Sequence, residues 1–184
     1  MKTLTTIFLA LVISAGSAFA QPVKDKAVIP IGVTLNSVLR LNIESGGNIE
    51  FVFNTLDHYV NGINDAYAST LYRTVFSVAS SSHFDVDMAA ESDFIGGDGS
   101  SSIPINQLEY QINDAFAGTT SETTMSSGVL VEVVDGATTL NAGTSTQNQF
   151  TIDWQVGCTT QLLGTSLPSD RYVTNILIEI SLAD

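Results

Sequence analysis

Apolar residues recur at every second position through most of this chain, and that period restricts its fold more than any other feature. From Ile29 to Ile43 the odd positions read Ile29, Ile31, Val33, Leu35, Ser37, Leu39, Leu41 and Ile43. Pro30, Thr34, Asn36, Arg40 and Asn42 sit between them. Successive side chains of a strand point to opposite faces, so this register aims one face at a core and the other at water. The stretch is long for one strand, so a bend near Ser37 or a passage between two sheets is expected.

The alternation returns in Ile49, Phe51 and Phe53 after a Gly46-Gly47-Asn48 turn, then in Tyr72, Thr74, Phe76 and Val78. It continues in Phe84, Val86 and Met88, in Ile103 and Ile105 around Pro104, and in Leu108, Tyr110 and Ile112. Val129 to Val134 is apolar except for Glu132, the pattern of a central strand. Phe150, Ile152, Trp154 and Val156 predict another strand. The last one sets Tyr172, Thr174, Ile176, Ile178, Ile180 and Leu182 on one face, with Arg171, Asn175 and Glu179 on the other.

Only one segment has helical spacing. Leu56, Tyr59, Val60 and Ile63 follow Asn54 or Thr55 as a cap, with Asp57 in the first turn and Asn61-Gly62 as an early stop. Stretches rich in Gly, Ser, Thr and Asn at 96–102, 118–128 and 135–148 are loops. The expected fold is all-β: an immunoglobulin-like antiparallel β-sandwich of about eight or nine strands with at most one short helix. A parallel βαβ sheet is excluded because the crossover helices are missing.

The N-terminus predicts export. Lys2, the apolar run Ile7–Ile13 and the small residues of Ala18-Phe19-Ala20 form the three regions of a signal peptide over residues 1–20. The apolar run is too short for a membrane anchor, which takes roughly 20 residues. Residues 21–184 are then a single sandwich domain, secreted to the cell exterior or surface, with no membrane insertion after cleavage.

The net charge of −13 repels phosphate backbones and anionic headgroups, which excludes nucleic acid and lipid surfaces as partners. Cys158 is the only cysteine, so no internal disulfide forms. It reads as a small buried residue beside Val156, with an intermolecular disulfide as the alternative.

Three short segments together carry a resemblance. Ser77–Met88 leads through Phe94 to Ile103-Pro104-Ile105, Phe150–Trp154 follows, and Leu167-Pro168-Ser169-Asp170-Arg171-Tyr172 opens the closing strand. This layout, over about residues 76 to 182, is similar to secreted bacterial Ig-like surface domains, the broad kind that includes WxL-type wall proteins and spore-coat-U-like pilin subunits. Where those families carry a tryptophan-led strand, this chain has His83-Phe84, and it has no Trp-x-Leu pair. The resemblance implies surface or appendage architecture and transfers no active site.

Catalytic chemistry finds little footing. His58 and His83 are the only histidines, and neither has the spacing of a hydrolytic triad; no Gly-x-Ser-x-Gly elbow occurs. The protein is therefore expected not to be an enzyme. Asp85, Asp87, Asp93 and Asp98, with Glu91 nearby, form the best metal candidate, because calcium takes six to eight oxygen ligands. The order does not match an EF-hand loop, and solvent-facing aspartates on a strand are the plainer reading. A carboxylate pair of glycosidase type needs a separation that sequence cannot measure. Among the aromatics, Tyr59 and Tyr67 are candidates for glycan contact, whereas Tyr72, Trp154 and Tyr172 belong with core aliphatics.

The N-terminal alternation bears most on function. Such a strand completes its own sandwich, the preferred reading because it needs no partner, or it inserts into a neighbour's open edge. In the second case Ile29, Ile31, Val33 and Leu35 are the anchors of an assembly strand. The expected function is a secreted structural or adhesive surface protein, a filament subunit joined through β-strand contacts, with self-association or other surface proteins as partners. The alternative is an extracellular carbohydrate- or calcium-binding module.

Overall fold

The computed structural model describes residues 29–64, 70–114 and 118–183. The signal-peptide residues and Tyr67 lie outside them. The chain divides after Leu35 into two units, the second being Asn36–Asp184. In the first, residues 29–35 run without strand pairing, and Ile29, Ile31, Val33 and Leu35 are 79%, 86%, 80% and 90% exposed.

The second unit is an all-β, sandwich-like fold. Its strands are β1 (Leu39–Ser45), β2 (Arg73–Ser80), β3 (Phe84–Ala90), β4 (Phe94–Gly96), β5 (Ser102–Ile103) and β6 (Leu108–Asp114). They continue as β7 (Gly118–Thr119), β8 (Thr123–Thr124), β9 (Val131–Val134), β10 (Gln149–Val156), β11 (Tyr172–Val173) and β12 (Ile176–Leu182). One sheet runs β1-β2-β10-β6-β7, with β8 also on β6; a second runs β12-β3-β9; a small third runs β11-β4-β5. All these strand pairings are antiparallel.

Alternation places the core. Phe76, Val78, Phe150 and Ile152 of the first sheet and Phe84 and Val86 of the second are fully buried. Phe150 lies opposite Phe76 in register and stacks on it at 4.9 Å, while Phe84 meets Phe150 edge-on at 6.2 Å. These three rings join the two sheets. Tyr172 Oη donates to the Pro168 carbonyl at 2.9 Å, which pins the turn that leads into the closing strands.

Several expectations need correction. The N-terminal strand begins at Leu39 rather than Ile29, because residues 29–38 have no partner strand among the described residues. Ile49, Phe51 and Phe53 are half-buried at alternate positions, yet they pair with no strand; Phe51 instead stacks on Tyr72 at 4.4 Å. The apolar run Val129–Val134 is not central: among the described residues β9 pairs only with β3, and Val129, Leu130 and Val131 are exposed. The closing strand breaks at Thr174-Asn175, so that β11 joins β4 while β12 joins β3.

Among the described residues two short α-helices occur instead of at most one. Helix α1 (Leu56–Asn61) is capped by Thr55, whose hydroxyl accepts from His58 N–H, and stopped by Gly62 at φ 74°. A side chain at Gly62 would strike the Gly157 backbone. Helix α2 (Gly136–Thr139) lies in a stretch read as loop; the Asp135 carboxylate caps it by accepting from Ala137 and Thr138 N–H. A single turn carries no apolar periodicity, so only the cap could have announced it.

Candidate functional site

An apolar groove of about 490 Å³ opens along one side of the sandwich. β1 ends the first sheet and β12 ends the second, so each presents one edge that no strand pairs with among the described residues. Leu41 and Ile43 line the groove from β1, and Ile176 and Ile178 line it from β12. Buried Leu108 and Trp154 form its floor.

The floor is fixed by a short relay. The Trp154 indole donates to Thr74 Oγ1 at 2.9 Å, and the Thr74 hydroxyl donates to the Gly46 carbonyl at 2.7 Å. Gly46 has φ 67°, and a side chain there would collide with the Arg73 carbonyl, so only glycine lets the turn approach β2. The Gly-Gly-Asn turn, read from sequence as a simple reversal, therefore also fixes the indole.

The predicted metal ligands are spread over separate tasks. Asp93 accepts from Ile105 N–H at 2.9 Å. Asp98 accepts from the Ser100 hydroxyl and N–H, which hold its carboxyl below the usual range. Asp87 stands directly opposite Glu179 on β12 and Glu132 on β9. Asp85 accepts from Gly136 N–H at 2.8 Å, and its carboxylate groups with those of Glu132 and Asp135 within 4.8 Å. Glu132 and Asp135 were missed because strand register and a capping turn, not sequence spacing, bring them to Asp85.

Like charges opposite one another oppose pairing. Glu132 is accordingly held above the usual carboxylate range, first by desolvation and then by Asp135, Asp85 and Asp87. A carboxyl raised by folding contributes stability below its unfolded pKa, and that contribution is lost as pH rises through the folded value. Glu132→Gln, which mimics the protonated form, should therefore unfold at a higher temperature than the wild type at neutral pH. The difference should vanish near pH 3, measured by thermal denaturation across pH.

The histidines are engaged with backbone. His58 Nδ1 lies 3.2 Å from the Val52 carbonyl, and His83 Nδ1 accepts from Ala142 N–H at 3.0 Å. Glu109, unremarked in the sequence, is a buried carboxylate held by Gln155 Nε2 at 2.8 Å and Thr159 N–H at 3.1 Å. Of the aromatics, Tyr59 is exposed beside Phe53, while Tyr72 and Trp154 are buried and Tyr172 is half-buried.

Cys158 is half-buried, with Sγ 3.7 Å from the carbonyls of Ile63 and Val156. Desolvation, together with the charges of Glu109 and Glu122, pushes its thiol up to about 11. The thiolate is the reactive form. Alkylation by iodoacetamide at pH 7.5 should thus run at least ten times slower than for a free thiol, followed by mass spectrometry; a rate matching free cysteine would contradict this environment.

Comparison of the sequence with family models and with curated proteins finds no match. Among the described residues, no helix is long and apolar enough to cross a membrane.

Proposed function

We propose that this protein is a secreted structural or adhesive subunit of a surface assembly, joined to its neighbours through β-strand contacts. One observation carries the reading: among the described residues, two strand edges with no partner strand flank an apolar groove on one side of the sandwich. An uncovered edge beside apolar surface is a template for another strand, and natural folds cover or charge such edges unless they use them. The resemblance to Ig-like surface and pilin domains and the signal-like N-terminus point the same way. Electron microscopy and sedimentation of the purified mature protein test it. Ordered fibres or oligomers that grow with concentration are expected; a monomer at every concentration overturns the proposal.

A second reading has its own observation. The Asp85, Glu132 and Asp135 carboxylates converge as oxygen ligands of a weak extracellular calcium site would. In that case millimolar calcium raises the melting temperature of the wild type and leaves Glu132→Gln unmoved.

A further inference from the structure

We infer that Asn61-Gly62 is a self-deamidation site which the fold keeps closed, so that conversion of Asn61 marks chains that have opened. Asn61 is the only asparagine of the chain that a glycine follows. With no Cβ on the next residue, nothing shields the backbone nitrogen that attacks the asparagine side chain. The Gly62 nitrogen bonds to Asn61 Cγ and loses its proton, while the Cγ–Nδ2 bond breaks and ammonia leaves. Water then opens the five-membered imide at either carbonyl, leaving aspartate or isoaspartate at position 61.

The fold requires this reactive pair. Gly62 has φ 74°, and a Cβ there would lie 2.5 Å from the Gly157 carbonyl carbon and 2.6 Å from Cys158 N. Only glycine therefore lets α1 end against the chain that leaves β10. Asn61 Nδ2 donates to Asp57 Oδ1 at 2.6 Å, one helical turn back, so the amide ties the last turn to the first.

The same contacts hold the reacting atoms apart. Asn61 is the last residue of α1, and Gly62 N–H donates to the His58 carbonyl at 2.9 Å. Immediately beyond, Ile63 and Val156 exchange N–H to carbonyl bonds in both directions at 2.8 Å. Gly62 is thus fixed on both sides. Its nitrogen reaches Asn61 Cγ only when the end of α1 comes loose, although Asn61 itself is exposed to water.

The products fit the closed form badly. Aspartate at 61 sets a carboxylate where the amide had donated to Asp57, and it adds negative charge at the negative end of a helix. Isoaspartate lengthens the backbone by one carbon just before Gly62, where there is no room even for a Cβ. A chain converted while open therefore carries a lasting, weakening mark.

The full mature chain, kept reduced at pH 8, tests this in buffer and in guanidinium chloride, with peptide mass spectrometry placing each converted asparagine. In denaturant Asn61 should convert before every other asparagine. In buffer it should convert at least about ten times more slowly, as a site that reacts only through local opening. Asn36-Ser37, exposed and outside any strand, should convert at nearly the same rate in both. Equal rates at Asn61 in the two states, or equal slowing at Asn36, overturn the masking. Converted chains are then refolded, brought to the unfolding midpoint of the unaltered protein and given a brief protease pulse that removes open molecules. The survivors should be depleted in aspartate and isoaspartate at 61 by at least about threefold. Equal survival of converted and unconverted chains overturns the inference as well.

Discussion

Phe150→Ala is expected to destabilise the protein by about 3–5 kcal/mol, the range for deleting a large buried aromatic side chain. Phe150 is 0% exposed and sits on β10, between β2 and β6. It touches both layers, stacking on Phe76 at 4.9 Å and meeting Phe84 edge-on at 6.2 Å. Truncation removes the transfer energy of the ring and leaves a cavity where neighbours are held by two sheets and cannot easily collapse. Denaturant unfolding of the variant gives the number. Val52→Ala, at an exposed side chain, serves as the comparison and should stay within about 0.5 kcal/mol. A loss below about 1 kcal/mol at Phe150 would mean that the sheets are joined elsewhere.

Asn141→Ala should cost about 3 kcal/mol through a different mechanism, the exposure of unmet hydrogen-bonding groups. Asn141 is wholly buried, and its amide reads the backbone of one residue twice. Oδ1 accepts from Phe84 N–H at 2.9 Å, and Nδ2 donates to the Phe84 carbonyl at 2.9 Å. β9 pairs with β3 only from Val86 to Met88, so its ladder stops short of Phe84. The side chain supplies the two bonds that a longer strand would have made. Without it both backbone groups are left buried and unpaired, each costing roughly 1–3 kcal/mol. Hydrogen exchange at the Phe84 amide provides a local readout: protection there should fall more than at Ile152. Unchanged exchange would remove the clamp from the account.

Much of the core was legible in the sequence because burial follows local parity. Phe76, Val78, Phe84, Val86, Phe150 and Ile152 all turn inward as their alternation predicts. What parity does not encode is the partner. Ile49, Phe51 and Phe53 alternate without joining a ladder, and Ile29 to Leu35 alternate in the open. The period of two states which side of a chain is apolar; whether another strand lies beside it is a long-range property. β9 fails for a related reason, since an apolar run interrupted only by Glu132 does not say whether a second strand lies beside it.

The candidate site was less legible for the same reason. Ile176 and Ile178 read as ordinary core, and only the sheet order shows that they border an open groove. Trp154 reads as core as well, and it is buried, but it forms the floor of that groove. The Asp85, Glu132 and Asp135 cluster depends on the pairing of β9 with β3 and on the turn that follows β9. Thr55, Asp57 and Gly62, by contrast, announced a helix of one or two turns through strictly local chemistry, and that helix is present.

Trp154 is the chain's single tryptophan, and its indole is held still by Thr74 beneath the opening between β1 and β12. Near-ultraviolet light absorbed by indole therefore interrogates one place in the molecule and no other. Whatever comes to rest in that opening changes the polarity above a rigid chromophore, shifting its emission and altering its quenching by acrylamide. The protein thus contains an optical gauge of its own occupancy, readable in dilute solution without any attached label.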